Sequence, residues 1–193
     1  MSTGVQNTLM GGLAGDAITT GTANAIVGYT AATNLETGSE NVVVGSGAMN
    51  SANGSESRNV AIGTNALAAM DSDGNNYNVA VGYDASKSVT TGTFNIALGA
   101  LALGGNFLTG SRNIGVGYRS GHNVSGGSDN IAIGQDALRT EDSHGKNIAI
   151  GSFALQNLNA GQDGHNIAIG NETGKNMSTG TNNTIVGSLS GDA

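Results

Sequence analysis

The sequence predicts an all-β protein, a parallel β-roll (β-solenoid) of about eleven coils with roughly seventeen to nineteen residues each. Two observations predict this fold. A five-residue unit that begins with Asn and ends with Gly recurs along the whole chain, and the 193 residues include 33 Gly but neither Pro nor Cys. Such a coil is too short for a strand, a crossover helix and a return, which together need about thirty residues. Each coil therefore contributes one strand and a turn back to the start.

The repeated unit consists of Asn, an aliphatic residue or Thr, an apolar residue or Gly, an aliphatic residue, and Gly. Val and Ile favour strands, and Gly accepts the positive φ of a corner at little cost. Parallel strands stack about 4.8 Å apart, so residues 1–193 are predicted to form a single rod-like domain roughly 50 Å long. The eleven units begin at Asn7, Asn24, Asn41, Asn59, Asn78, Asn95, Asn113, Asn130, Asn147, Asn166 and Asn183.

The residues between the units predict a packed second segment and variable turns. A small residue recurs three positions after each Gly, as in Ala14, Ala31 and Ala48, and an apolar side chain follows four positions later in most coils. The extra residues of the longer coils fall in the turns, for example at residues 71–75. All 7 Lys and Arg residues and all 14 Asp and Glu residues lie outside the units. We therefore expect buried strands and solvated, charged turns.

Both faces of the strand units are apolar. Alternate residues of a strand face opposite sides, and here the second and fourth positions are mainly Val and Ile, while the third is Ala, Gly or a larger aliphatic residue. Strands of this kind are typical of sheets that are covered on both sides. We therefore expect a homo-oligomer of parallel rods with an apolar seam on its axis. The Asn that heads each unit is expected to stack from coil to coil as an amide ladder.

The composition excludes several classes of function. The formal net charge is −7, and the few Lys and Arg residues are scattered, whereas nucleic-acid binding needs clustered cations. The aliphatic runs are too short to span a membrane. No Cys is present, and neither a Ser-His-Asp arrangement nor a phosphate-binding loop is recognised. We therefore expect neither an enzyme nor a bound cofactor.

The unit Asn-Ile-Ala-Ile-Gly at residues 130–134, followed three residues later by Ala137, resembles the head repeats of YadA-like trimeric autotransporter adhesins. The longer coils, with Thr109-Gly110 ahead of Asn113 as an example, are even more similar to repeat arrays in bacteriophage tail fibre and tail spike proteins. This resemblance, which covers residues 7–187, implies a left-handed β-roll that assembles as a parallel homotrimer.

The resemblance also implies a function and a location. The expected function is a rigid trimeric shaft of a phage tail fibre, located in the virion, whose surface could contact a glycan or protein receptor on a host cell. The alternative is the head domain of a bacterial trimeric adhesin, located on the cell surface and used for attachment.

Two rows of side chains are candidates for ligand contact. Tyr29, Tyr83 and Tyr118 each follow the Gly of a unit directly, so they share one edge of the rod and could stack on sugar rings of a receptor; packing over the corner is the alternative. A row of hydroxyl groups on another edge raises the hypothesis of an ice-binding solenoid that acts alone. This row comprises Thr3, Thr20, Thr37, Thr91, Thr109 and Thr179.

Two sets of residues have side chains of the metal-ligand type. Asp71, Asp73 and Asn75 resemble part of a calcium loop, but the terminal Glu of the twelve-residue pattern is missing, which favours an acidic turn. The three histidines lie at different offsets from the Asn of their coils, so they have no metal-ligand spacing, and solvated turns are favoured. They are His122, His144 and His165. The sequence therefore predicts no catalytic and no metal-binding residue.

Overall fold

The computed structural model describes residues 2–106, 108–141 and 143–191, and within these ranges the chain is all-β with no helix. Eleven strands of three residues form one parallel sheet, and their spatial order follows their order in the chain. The strands are β1 (Thr8–Met10), β2 (Ala25–Val27), β3 (Val42–Val44), β4 (Val60–Ile62), β5 (Val79–Val81), β6 (Ile96–Leu98), β7 (Ile114–Val116), β8 (Ile131–Ile133), β9 (Ile148–Ile150), β10 (Ile167–Ile169) and β11 (Thr184–Val186). The predicted all-β parallel β-solenoid is confirmed. No described residue lies in a helix long and apolar enough to cross a membrane.

Neighbouring strands pair in one constant register. Residues at equivalent repeat positions oppose each other, as Ile131 opposes Ile148 and Val43 opposes Ala61. The coil between β3 and β4 is one residue longer than the coil between β2 and β3, yet the two pairs of strands have the same register. The turns therefore absorb the extra residues, as predicted, and the sheet continues without interruption from β1 to β11.

The interior of the coil is narrow and filled by small side chains near the strands. The middle residue of each strand faces inward, and Ala61 and Ala149 are fully buried. Ala66, three positions after the Gly of its unit, is buried as well, and larger side chains such as Leu35 and Met70 complete the core. This arrangement explains why the repeat keeps a small residue at one position and an aliphatic residue at another.

The Asn residues form the ladder that the sequence predicts. The backbone N–H of each Asn donates to the side-chain Oδ1 of the Asn one coil earlier, as Asn130 does to Asn113 at 3.0 Å. Ten such bonds run without a gap from Asn7 to Asn183. The side-chain Nδ2 of Asn113 also donates to the carbonyl of Gly127 at 2.8 Å, near the end of the same coil. One side chain thus ties its own coil closed and binds the next coil.

The prediction that Gly supplies the corners is confirmed, but positive φ angles extend to further positions of the turns. Gly does occupy the corner after every strand, with φ between +123° and +141°. Three further positions in each coil have a positive φ: the residue before the Asn, and the second and fourth residues after the Gly. In the described part of the chain, most of these positions hold a residue other than Gly, with φ between +44° and +63°. This left-handed conformation costs a residue other than Gly roughly 1–2 kcal/mol. Hydrogen bonds between coils offset the cost, for example the bond from Leu67 N–H to the Ala85 carbonyl at 3.1 Å.

We expect the corner Gly to be far less replaceable than a Gly in an open turn. A Cβ on Gly134 (φ +130°) would lie 2.5 Å from the carbonyl oxygen of Gly151 in the next coil, whereas a Cβ on Gly161 (φ +71°) would meet no atom within 4 Å. Gly134→Ala should lower the free energy of unfolding by about 3–5 kcal/mol, because steric overlap adds to backbone strain. Gly161→Ala carries only the strain of about 1–2 kcal/mol. Urea unfolding at a fixed protein concentration measures both values, and equal losses would contradict the close packing of the corners.

We also expect a rung of the Asn ladder to be costly to remove. Asn113→Ala leaves the N–H of Asn130 and the carbonyl of Gly127 without their partner, and each unsatisfied buried group costs about 1–3 kcal/mol. The free energy of unfolding should therefore fall by about 2–6 kcal/mol. Asn53→Ala, in an exposed turn, is the control and should change it by less than about 0.5 kcal/mol. Thermal or urea unfolding checks both, and a loss at Asn113 no larger than at Asn53 would mean that the ladder does not hold the coils together.

Candidate functional site

The outward side of the sheet is a continuous apolar face. The first and third residues of each strand point away from the core, and they are aliphatic in nearly every coil. Val42, Ile62, Leu98, Ile133 and Ile169 on this face are between 36% and 40% exposed, although each belongs to a strand inside the sheet. We call this surface, formed by the first and third residues of β1 to β11, the apolar face.

One edge of the apolar face carries charged and aromatic side chains that contact each other from coil to coil. Arg58 lies between Glu40, at 2.9 Å from Nε to Oε2, and the hydroxyl of Tyr77, at 2.7 Å from Nη1. The Tyr77 ring stacks on Phe94 with centroids 5.0 Å apart and an angle of 9° between the rings. These residues precede the Asn of their units directly, and we call the complete set the N-edge row. It comprises Gln6, Ala23, Glu40, Arg58, Tyr77, Phe94, Arg112, Asp129, Lys146, His165 and Asn182.

The opposite edge carries the three tyrosines that the sequence singles out. Tyr29, Tyr83 and Tyr118 are 63%, 57% and 47% exposed, and the guanidinium of Arg119 lies 5.8 Å from the Tyr118 ring centroid. The residue that follows each unit Gly is uncharged in every coil. We call this set the C-edge row; it comprises Gly12, Tyr29, Ser46, Thr64, Tyr83, Ala100, Tyr118, Gln135, Ser152, Asn171 and Ser188. Glycan contact by the tyrosines stays a prediction.

Exposed aromatic rings are confined to these two edges in the part of the chain that the structure describes. Tyr77 and Phe94 lie in the N-edge row, and the other three are the tyrosines of the C-edge row. Sequence reasoning missed the aromatic pair of the N-edge row, because Tyr77 and Phe94 occupy a position where other coils carry charged or polar residues. Both residues directly precede the Asn of their unit, and this shared repeat position is the sequence signal that predicts their contact.

Hydrogen bonds along the N-edge row shift the ionisation of its carboxylates. The side-chain hydrogen bond from Arg58, together with its charge, holds the pKa of Glu40 below the usual value. The hydrogen bond from Arg112, 2.6 Å from Nε to Oδ1, lowers the pKa of Asp129 in the same way. Both pairs are exposed, so each contributes little to stability. The two ion pairs orient the side chains of the N-edge row along the rod.

The remaining candidates from the sequence hold turns together. The Oδ1 of Asp73 accepts hydrogen bonds from the backbone N–H of Ser55 at 3.1 Å and from its hydroxyl at 3.2 Å. His122 places Nδ1 3.0 Å from the Leu101 carbonyl. Within residues 2–106, 108–141 and 143–191, no three His, Asp or Glu side chains are placed to share a metal ion. The hydroxyl of Thr37, in the proposed ice-binding row, donates to the Gly54 carbonyl at 3.3 Å.

Two glutamates contradict the expectation that charged residues occupy solvated turns. Glu56 and Glu141 are fully buried. The Glu56 carboxylate accepts the N–H of Gly54 at 3.0 Å, and Glu141 accepts the N–H of Ala160 at 3.2 Å and lies 3.5 Å from His144 Nδ1. Their partners are largely backbone groups of turns, which a residue pattern does not reveal. Glu141 lies seven residues after Gly134, a position that holds a buried apolar side chain such as Leu35 or Met70 in other coils. Glu56 lies three residues before Asn59, where several other coils have Gly.

The arrangement suits contact with another extended surface. No pocket is present on the described part of the chain. Comparisons with protein-family models, with curated proteins and with solved structures find no match to this chain. The function is therefore inferred from the face and its two edges.

We expect the carboxylate of Glu40 to titrate below the ordinary value of about 4.3. Because the folded pKa is lowered, the pair with Arg58 stabilises the fold above the unfolded pKa, and this contribution is lost as the pH falls through the folded pKa. In Arg58→Gln the Glu40 pKa should rise towards its ordinary value, whereas Arg139→Gln, several coils away, should leave it unchanged. NMR titration of the carboxyl carbon measures it, and an equal Glu40 pKa in both variants would refute the pairing.

Proposed function

We propose that this chain is a rigid structural segment of a trimeric fibre, in which three parallel copies pack their apolar faces around a common axis. The observation that carries the proposal is the apolar face itself. Eleven strands about 4.8 Å apart make it about 50 Å long. Together with its two edge rows, seven residues across, it forms a band about 20 Å wide and on the order of 1,000 Å² in area.

The area of this band is large enough for a stable interface, since stable partners bury about 800 Å² each. Apart from Val5, Leu13 and Leu189, all the strongly exposed large apolar side chains of the described residues lie on the apolar face or in its edge rows. This concentration on one side supports coverage by further copies.

The mechanical role follows from the ladder and the sheet. Every coil is bonded to the next through the strand, the Asn side chain and the turns, so bending the rod would break several hydrogen bonds at once. The left-handed roll, the number three and the virion as the location are proposed from the resemblance of the repeats to phage tail-fibre arrays. A host-cell glycan or protein is the proposed external partner, and the side of the rod away from the apolar face is the surface left for it in the fibre.

We predict that a charge in the middle of the apolar face dissociates the assembly. Ile133→Asp places a carboxylate on β8 where the side chain points outward, so each rod should fold while the trimer is lost. Ser51→Asp, in an exposed turn, is the control and should stay trimeric. Light scattering at micromolar concentration gives the mass, and circular dichroism verifies the fold. A monomeric unmodified chain would contradict the proposed assembly.

A further inference from the structure

We propose that the N-edge row of one copy packs against the C-edge row of the next copy at the same height, so that Tyr77 meets Tyr83 and Arg112 meets Tyr118 of the neighbouring chain. This inference rests on the proposed parallel assembly and adds the residues that set its register. The two edge rows are the only places where strongly exposed aromatic rings occur among the described residues. Rings at both borders of an apolar face are expected where that face meets a partner, since aromatic residues are enriched in interfaces.

Symmetry dictates which rows meet. In a closed ring of identical parallel rods, the copies are related by rotation about an axis along the rods, without translation. The N-edge row of each copy then faces the C-edge row of its neighbour, and residues of the same coil lie at the same height. Tyr77 and Tyr83 flank β5, and Arg112 and Tyr118 flank β7.

The chemistry of the two rows is complementary in this arrangement. The charged members of the two edge rows all belong to the N-edge row, and the C-edge row offers only hydroxyl, amide, phenol or small side chains. The ion pairs Glu40–Arg58 and Arg112–Asp129 therefore stay intact inside one chain while they meet neutral groups of the next chain. One charge lies next to the C-edge row, the Arg119 guanidinium 5.8 Å from the Tyr118 ring centroid. Tyr118 can receive the guanidinium of Arg112 against its ring as a cation–π contact.

An antiparallel pair of rods is the competing arrangement. Centred on β6, it would bring N-edge rows together, with Glu40 near Lys146 and Arg58 near Asp129 of the second copy. This arrangement would bring the charged N-edge rows of both copies into one interface. These charges are already paired within each chain, so the cost of removing them from water would oppose their burial. In that arrangement Phe94 would lie against Phe94 of the second copy.

The proposed pairing of the edge rows determines whether the C-edge tyrosines can bind a glycan. In the assembled ring the C-edge tyrosines are covered by the neighbouring chain, so Tyr83 and Tyr118 anchor the interface and do not serve as glycan platforms. Tyr77 stacks one face of its ring on Phe94 and has Arg58 5.6 Å from its centroid, so it offers the neighbour its edge and hydroxyl.

The absence of Cys allows a direct test by disulfide cross-linking. In the double variant Tyr77→Cys, Tyr83→Cys, the two positions of one chain are about 20 Å apart along the extended segment, while a disulfide needs Cα atoms about 4.4–6.8 Å apart. Oxidation should therefore join different chains and give a covalent trimer on a non-reducing gel. Arg112→Cys, Tyr118→Cys is a second pair at equal height and should behave alike.

Two controls separate the outcomes. Tyr77→Cys, Tyr118→Cys keeps the first position but staggers the second by two coils, about 10 Å, and should yield at least five-fold less covalent trimer. Phe94→Cys alone should give no covalent dimer. If light scattering shows a trimer but neither pair at equal height cross-links, the pairing of the two edge rows is wrong and the proposed assembly stands. A covalent dimer of Phe94→Cys, or a monomeric protein, would overturn the parallel assembly and the register with it.

Discussion

The hydrogen bond from the backbone of one ladder Asn to the side chain of the preceding one is the interaction on which the rest of the structure depends. It recurs ten times from Asn7 to Asn183 and places each strand at a fixed height and register above the last. A buried amide satisfies a donor and an acceptor of the backbone in this way, and leaving either unpaired in the interior would be costly. The thin core of Ala and a few aliphatic side chains suffices because the ladder and the strands supply hydrogen bonds at every coil.

The ladder also determines which residues form the apolar face. With the Asn and the middle residue of each strand turned inward, the first and third residues of every strand must point outward, and in this chain they are Val, Ile and Leu in most coils. Ten strand pairs with the same register then align this alternation into one apolar face, which is bordered by the N-edge row and the C-edge row. A fold that is closed within each chain thus leaves one continuous apolar surface exposed, which further copies cover in the proposed fibre.

The repeat revealed the strands, their parallel order, the inward position of the small residues and the role of the Asn, because each depends on residue types that recur at a fixed spacing. It did not reveal the left-handed backbone of residues such as Leu67 and Phe153, because many residue types fill those positions and the conformation is imposed by bonds between coils. The burial of Glu56 was missed because its partners are backbone N–H groups of turns. The N-edge row was missed because its contacts, such as that of Tyr77 with Phe94, join different coils.

The dependence of thermal stability on protein concentration tests the central claim, that the apolar face is covered by other copies of the chain. Association that stabilises the folded state makes the melting temperature rise with concentration. Calorimetry or circular dichroism from the nanomolar to the high micromolar range should therefore show a melting temperature that increases steadily, together with a trimeric mass at the upper end. A melting temperature that is constant over this range, with a monomeric mass throughout, would contradict the account.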